Sequence, residues 1–321
     1  MLLFNKIVRS STLFLLLLIG TWGSAISYVY GQETIVPIVS DSLSTISQEK
    51  LTLGKRLFHD TRLSSNNALS CATCHPLNKY TVDGLDFSMG ADGKPLDYNT
   101  PSIAYASLNQ YLGWTGSITD LRAHLDVLIH NPREMDTTWP SIVKRLNSAK
   151  GYSQQFIDSG FDGINKKSIV DAIIAFETSL AKPSRFDLYL QGEKNQLTAR
   201  EIEGYQFFKE YGCIACHQGI NLGGNMRQTL GVMSHYYSNP KTIKPRDYGY
   251  FNITQHEDDK FLFRVPSLRN VAQTSPYFHD ASAKTLTQAI KIMFEFQLGL
   301  SPKDAEIEAI EAFLHTLDAL E

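Results

Sequence analysis

The chain has 321 residues, of which 43% are hydrophobic and 20% charged, a composition typical of a globular protein with room for two domains. This composition argues against intrinsic disorder, collagen and a multi-span membrane protein. The 30 basic and 33 acidic side chains give a formal net charge of -3 without a basic stripe, so a nucleic acid is not expected as a partner.

The N-terminal segment, residues 1–31, has the pattern of an export signal. Lys6 and Arg9 precede an uncharged stretch from Ser10 to Gln32, and the centre of that stretch is nearly all leucine. This pattern predicts export to the periplasm. Because the uncharged stretch has 23 residues, it is also long enough for one membrane span. The sequence therefore leaves a cleaved signal peptide and an N-terminal membrane anchor open.

Beyond a connector at residues 32–47, the pattern predicts a mainly α protein. Ser168 with Asp171, and Ser301 with Asp304, resemble capping pairs at the starts of two amphipathic helices.

Long loops are expected between the predicted helices. Residues 83–101 and 219–250 are rich in Gly, Asn and Pro, and few apolar runs alternate as strands do. We expect these loops to carry function.

All four cysteines lie in two copies of the sequence C-x-x-C-H. This is the attachment sequence of c-type haem: the two thiols form thioether bonds to the haem vinyl groups, and the histidine binds the iron. A lone C-x-x-C leaves a redox dithiol or a zinc site open, but two copies, each followed by histidine, favour haem. The sequence predicts two covalently bound haem c groups, one on Cys71, Cys74 and His75 and the other on Cys213, Cys216 and His217.

The two attachment sequences predict a duplicated haem domain. They are 142 residues apart, and the similar phrases Gly54–Phe58 and Gly204–Phe208 precede them. A self-similar pattern of this kind is typical of repeated units. We expect two cytochrome c-like domains, at residues 48–195 and 196–321.

Six further phrases occur from about Leu51 to the C-terminus: Leu53–Phe58, Asp60–Ser64, Glu134–Met135, Asn221–Gly224, Phe263–Asn270 and Pro276–His279. In these phrases the chain resembles the bacterial di-haem cytochrome c peroxidases. The resemblance implies reduction of hydrogen peroxide to water, with electrons from a small cytochrome c or cupredoxin. It places the peroxidatic haem in the N-terminal domain and the electron-accepting, high-potential haem in the C-terminal domain. The relatives form homodimers, and the sequence leaves open whether this chain does.

The resemblance also implies roles for residues near the second haem. Met293 matches the axial methionine of that haem, whereas the related tryptophan-tryptophylquinone-forming enzymes have tyrosine there. Trp114 matches the tryptophan between the haems. A calcium ion is implied at three positions, namely Asn99, Thr274 and Pro276.

The peroxidatic site contains one match to the family pattern and two departures from it. Glu134 matches the distal glutamate, which moves protons during cleavage of peroxide. His124 replaces the usual glutamine, and it could act as a second acid–base group or bind the iron. Ala91 stands where many relatives have a histidine that binds the resting iron. We therefore expect an open peroxidatic haem that needs no reductive activation, unless His124 or Met89 takes that place.

Two alternatives to a peroxidase remain at this stage. The first is a di-haem oxidase that modifies a protein or an organic substrate through high-valent iron. The second is a non-catalytic di-haem electron-transfer protein, which would have no use for an acid at Glu134.

Overall fold

The computed structural model describes residues 34–39, 45–238 and 240–320. The predicted signal or anchor, residues 1–31, lies outside the described residues. The described residues all belong to one compact unit, Thr34–Glu321. No helix among them is long and apolar enough to cross a membrane.

The fold is mainly α, as the sequence predicts, with 46% of the described residues in helices. The α-helices are α1 Gln48–Phe58, α2 Cys71–Cys74, α3 Leu121–His130, α4 Trp139–Asn147, α5 Tyr152–Asp158, α6 Lys166–Thr178, α7 Arg185–Leu190, α8 Ala199–Glu210, α9 Phe251–Thr254, α10 Leu286–Ile292 and α11 Asp304–His315. A π-helical segment, Met293–Leu298, continues α10. Short 3₁₀ turns lie between the helices, among them Thr61–Leu63, Ala106–Leu108 and Cys213–Ala215.

Two helices begin at other residues than the sequence suggests. Helix α6 is capped by Asn165, whose side chain accepts the N–H of Ser168 at 3.0 Å. Asn165 caps as well as serine does, so Ser168 lies inside the first turn. Helix α11 follows Lys303, whose N–H is bound by the Glu306 carboxylate at 2.7 Å. Both predicted capping pairs were therefore wrong, while both helices exist.

The two largest of the three hydrophobic clusters among the described residues lie in the two halves of the chain. The first is built by side chains between Leu53 and Ile173, and the second mainly by side chains between Phe186 and Leu317. Since Phe186 in α7 packs in the second core, that core begins before residue 196. The boundary at 195/196 stays a prediction.

The first glycine of each repeated phrase lies at a close crossing of two helices. A Cβ atom at Gly54 in α1 would lie 2.1 Å from the carbonyl oxygen of Ala172 in α6. A Cβ atom at Gly204 in α8 would lie 1.8 Å from the carbonyl oxygen of Ala309 in α11. Only glycine allows such close helix crossings. This equivalence is what a duplicated domain predicts.

A small sheet connects distant parts of the sequence. Strand β1, Arg227–Thr229, pairs antiparallel with β2, Leu262–Arg264, so that Arg227 lies opposite Arg264. The backbone N–H of Arg264 also donates to the carbonyl oxygen of Trp114 at 2.9 Å. The loop that contains Trp114 is thereby attached to the second half of the chain.

Candidate haem sites

Both attachment-sequence histidines are held in the same way. His75 Nδ1 lies 2.9 Å from the carbonyl oxygen of Thr81, and His217 Nδ1 lies 3.2 Å from that of Leu222. A carbonyl can only accept, so each Nδ1 carries the hydrogen and each Nε2 keeps its lone pair for a metal. Burial lowers the pKa of both imidazoles, that of His217 to about 4. Both rings are therefore neutral and ready to bind iron.

The four thiols are free and partly buried. Burial raises the pKa of each one, and that of Cys213 to about 12. Such thiols are inert until another group engages them. No disulfide competes for them, which agrees with the expectation that two haem c groups use all four.

Glu134 lies beside the first attachment sequence, and its charge raises the pKa of the Cys74 thiol. Its Oε2 atom is buried and has no hydrogen-bond partner within the described residues. Burial raises the pKa of the carboxyl to about 7, although Asn131 and Arg133 oppose the shift. A buried, unsatisfied oxygen is costly, so this atom fits a site that another molecule completes.

His124 lies in α3, and its ring would be 3.9 Å from a Cβ atom at Gly113. Its Nδ1 is also buried and without a partner in the described part of the chain. Burial lowers the pKa of His124 to about 4, and the proximity of His75 and Arg264 acts in the same direction. The structure thus brings two unsatisfied titratable groups, Glu134 and His124, to the first attachment sequence.

The second attachment sequence lines a large, mostly apolar cavity. Cys213, Cys216 and His217 line it together with Met293, the first residue of the π-helical segment. Its empty space is about 1750 Å³, counted with the open mouth. Local π-helix is frequent at functional sites. A flat apolar group between histidine and methionine fits this lining.

Trp114 lines the same cavity and is fixed by several contacts. Its indole N–H donates to the carbonyl oxygen of Asn99 at 2.7 Å. Its ring lies 6.2 Å, centroid to centroid, from that of His279. The ring also faces the guanidinium of Arg264, 5.9 Å from the ring centroid.

The cavity that Trp114 lines is also lined by the three residues of the expected calcium site, Asn99, Thr274 and Pro276. The side-chain nitrogen of Asn99 donates to the carbonyl oxygens of Leu85 and Asp86, at 2.9 and 3.3 Å. Its oxygen is therefore the atom available to a cation. Thr274 and Pro276 can add oxygen ligands of the kind that calcium prefers.

The loop around Ala91 packs against the segment of Glu134. The N–H of Ala91 donates to the carbonyl oxygen of Arg133 at 3.1 Å. A Cβ atom at Gly90 would lie 2.2 Å from the same oxygen. Met89, by contrast, is 46% exposed.

Three buried polar groups near these sites escaped the sequence analysis. Glu177, 6% exposed, lies in the apolar helix α6, and its charge raises the pKa of Cys71. His279 Nε2 is 2.9 Å from Asp247 Oδ1. Arg264 is 5% exposed. A charged residue within an apolar run is a weak signal for Glu177, and the only signal for Arg264 and His279 is that they lie in the phrases Phe263–Asn270 and Pro276–His279.

Placed on this fold, the two attachment sequences define a di-haem c-type oxidoreductase. The family model described as di-haem cytochrome c peroxidase matches residues 48–195. The chain is 36% identical over 314 residues to the cytochrome c551 peroxidase of Nitrosomonas europaea. This alignment covers 97% of this chain and 92% of that protein. The chain therefore belongs to the di-haem cytochrome c peroxidase family.

Two more similarities agree with this assignment. The cytochrome c peroxidase Ccp of Escherichia coli is 38% identical over 290 residues, 90% of this chain, and the match covers 62% of the length of that relative. The crystal structure of a MauG-like protein associated with microbial copper homeostasis aligns with a TM-score of 0.77 and 29% identity, covering 88% of this chain and 93% of that one.

Proposed function

We propose that this protein reduces hydrogen peroxide to two waters with electrons from a small redox protein. When bound, the two haems supply iron that accepts and passes on single electrons. Cys71, Cys74 and His75 hold the peroxidatic haem, and Cys213, Cys216, His217 and Met293 hold the electron-accepting haem. The chain's own residues then have to bind peroxide, move protons and shield the site.

The observation that carries this proposal is the unsatisfied Oε2 of Glu134. The reaction consumes two electrons and two protons while the O–O bond breaks. A carboxylate in a closed pocket can take a proton from one peroxide oxygen and deliver it to the other. With a pKa of about 7, Glu134 can both gain and lose that proton near neutral pH. A pure electron carrier has no use for such a group.

His124 assists Glu134 in this proposal as a neutral partner. Because its pKa is about 4, the ring is uncharged at neutral pH, and its unpartnered Nδ1 can hydrogen-bond to peroxide or to a water molecule. Trp114 lies on the electron route between the two haems. Its contacts with Asn99 and His279 support this role because they hold the ring in one orientation.

We further propose that the peroxidatic haem is open in the oxidised protein. Ala91 has no atom that can bind iron, and the exposure of Met89 argues against it as a substitute. A calcium ion bound by Asn99, Thr274 and the Pro276 carbonyl is part of the same proposal. Since none of these is a carboxylate, water would complete its shell.

The periplasm is the proposed location, and a small cytochrome c or cupredoxin is the proposed donor. The export pattern of residues 1–31 supports this location. An exported haem c protein would take its electrons from a small redox protein that is also in the periplasm. Neither the anchor nor a homodimer has support beyond the sequence and the resemblance.

The test is peroxide consumption by the holoprotein with a reduced small cytochrome c as donor. We expect Glu134→Gln to lower turnover by about 10²-fold or more, the usual scale for a lost acid–base group, with both haems still bound. Asp136→Asn is the matched control, because Asp136 is an exposed carboxylate in the same turn and asparagine tolerates its positive φ of 49°.

Three results would contradict the proposal. Equal turnover in Glu134→Gln and the wild type would remove Glu134 from the reaction. A wild-type protein that leaves peroxide unchanged would favour an electron carrier, and slow turnover with modification of an added protein would favour the oxidase alternative.

A further inference from the structure

Arg264 is a buried cation without a carboxylate partner. Its side chain is 5% exposed, and no Asp or Glu among the described residues lies within 4.0 Å of its guanidinium. Burial alone lowers its pKa to about 10. Arg269, five residues further along the chain, is also buried but forms a bidentate ion pair with Asp187, in which its two terminal nitrogens donate to the two carboxylate oxygens at 2.7 and 2.8 Å. An isolated buried charge costs several kcal/mol, so Arg264 requires a counter-ion.

The side chain is held so that part of its donor set is unused. Its Nε–H donates to the carbonyl oxygen of Gly113 at 2.9 Å. Arginine has five N–H donors in a rigid fork, and the described residues show no further side-chain hydrogen bond from this one. The fork is therefore oriented by one backbone contact and keeps its remaining donors for another group.

Arg264 lines the cavity of the second attachment sequence, together with His217 and Met293. Its hydrogen bonds to the carbonyl oxygens of Gly113 and Trp114 also join it to the first half of the chain. The opposite residue in the sheet, Arg227, is placed differently. Its guanidinium lies over the rings of Tyr111 and Tyr250, at 4.3 and 4.1 Å from their centroids, and it is not part of the cavity lining.

We infer that Arg264 binds a carboxylate of the haem attached to Cys213 and Cys216, and that it is the positioning residue that joins this haem to Trp114. The inference rests on the proposed function, because it needs a haem in that cavity. Haem carries two carboxylates, and the planar guanidinium fork matches a carboxylate with two parallel hydrogen bonds. The same side chain binds the backbone of Gly113, next to Trp114, so one residue fixes both the haem edge and the tryptophan.

A cation in this place affects the second haem in a definite direction. A nearby positive charge favours the iron state with the lower charge, which is the reduced state. Without Arg264, the haem carboxylate would remain unneutralised in a poorly solvated cavity and would favour the oxidised state. Arg264 thus helps to make the second haem the high-potential one.

The experiment is a spectroelectrochemical titration of each haem in the holoprotein. We expect Arg264→Gln to lower the ratio of reduced to oxidised second haem about tenfold at a fixed ambient potential, on the scale of charge interactions at an effective dielectric constant of about 20. For a one-electron couple this is about 59 mV. Arg264→Lys keeps the charge and should stay within about threefold of the wild type by the same scale.

Arg227→Gln is the matched control. This variant removes the cation that lies opposite Arg264 in the sheet. Because Arg227 does not line the cavity, both haem potentials should stay unchanged. If Arg264→Gln cannot be isolated with its second haem, Arg264→Lys carries the test, and a tenfold shift in that variant contradicts the inference.

The remaining outcomes separate the inference from the proposed function. Arg264→Gln with two bound haems and an unchanged second potential overturns the inference, while wild-type peroxide turnover independently tests the function. A shift confined to the first haem overturns the assignment to the second cavity.

Discussion

Trp114 donates its indole N–H to the backbone carbonyl oxygen of Asn99 at 2.7 Å. The N–H of Asn99 in turn donates to the carbonyl oxygen of His279 at 2.9 Å. The segments of Asn99 and His279, which are 180 residues apart in sequence, are thus joined by a backbone hydrogen bond, and the indole of Trp114 is attached at the same junction. The ring cannot turn without breaking this partly buried hydrogen bond, which costs about 1 kcal/mol.

The first prediction concerns this ring. Trp114→Phe keeps an aromatic group but loses the N–H contact and half of the indole. We expect oxidation of the reduced second haem by peroxide to slow about tenfold or more, equivalent to about 1.4 kcal/mol in the barrier, with little change in either haem potential. Stopped-flow absorbance of the reduced protein mixed with peroxide measures this rate.

Trp139→Phe provides the control for that experiment. Trp139 is also buried and also donates its indole N–H, to Asp126 at 2.5 Å, but it packs in the first core. Its variant should react at the wild-type rate. A Trp114→Phe protein that reacts equally fast would show that the ring is only core packing.

The second prediction concerns the pH dependence of turnover. Glu134 must be deprotonated to take the first proton from peroxide, and burial raises its pKa to about 7. Turnover at low peroxide should therefore fall as pH drops through about 7 and level off above it. In Glu134→Gln this acid limb should disappear. The profile of kcat/KM against pH, from about 5 to 9, is the measurement.

Other groups can be separated from Glu134 in this profile. His124, with a pKa of about 4, does not change charge near pH 7. Glu177 does, because burial raises its pKa to about 7 as well. Glu177→Gln should keep the acid limb, and loss of the limb in that variant instead would assign it to Glu177.

Different parts of this site were accessible to sequence reasoning to different degrees. Cys71, Cys74 and His75 act through contacts within one turn, so their spacing alone indicated their chemistry. The helix starts were missed by two or three residues because Asn165 and Glu306 compete as caps with the serines nearby. Arg264 could not be found, because its role depends on Gly113, 151 residues away, and on the cavity around His217.

The third prediction concerns the axial ligand of the second haem. Met293 lines the cavity of the second attachment sequence. Among the described residues of that lining, the other sulfur-bearing side chains are Cys213 and Cys216, which the haem uses for attachment. A thioether ligand raises the potential of haem iron. Met293→Leu should therefore lower the ratio of reduced to oxidised second haem at a fixed potential by about tenfold or more, which is about 59 mV. Redox titration followed by absorbance measures it.

Met233→Leu is the control for this substitution. Met233 is 63% exposed and lies against Gly299, just after the π-helical segment. Its variant should titrate like the wild type. An unchanged potential in Met293→Leu would remove Met293 as a ligand.

The fourth prediction concerns Ala91, whose loop is held against Arg133, next to Glu134. The oxidised wild-type protein should contain high-spin iron at one haem and react promptly with one equivalent of peroxide without a reductant. Ala91→His restores an imidazole at the position where many relatives have one. We expect this variant to contain only low-spin iron when oxidised and to react with peroxide only after the second haem is reduced. EPR spectra and stopped-flow absorbance of both proteins measure these properties.

Met89→Leu and His124→Gln identify any ligand that takes the place of the missing histidine. Because Met89 is exposed and the half-buried His124 has a pKa lowered to about 4 by burial, neither variant should change the spin state of the wild-type iron. Two low-spin haems and no reaction with peroxide in the oxidised wild type would contradict the open site. A conversion to high-spin iron in one of the two variants would then name the side chain that closes it, and the protein would need reductive activation after all.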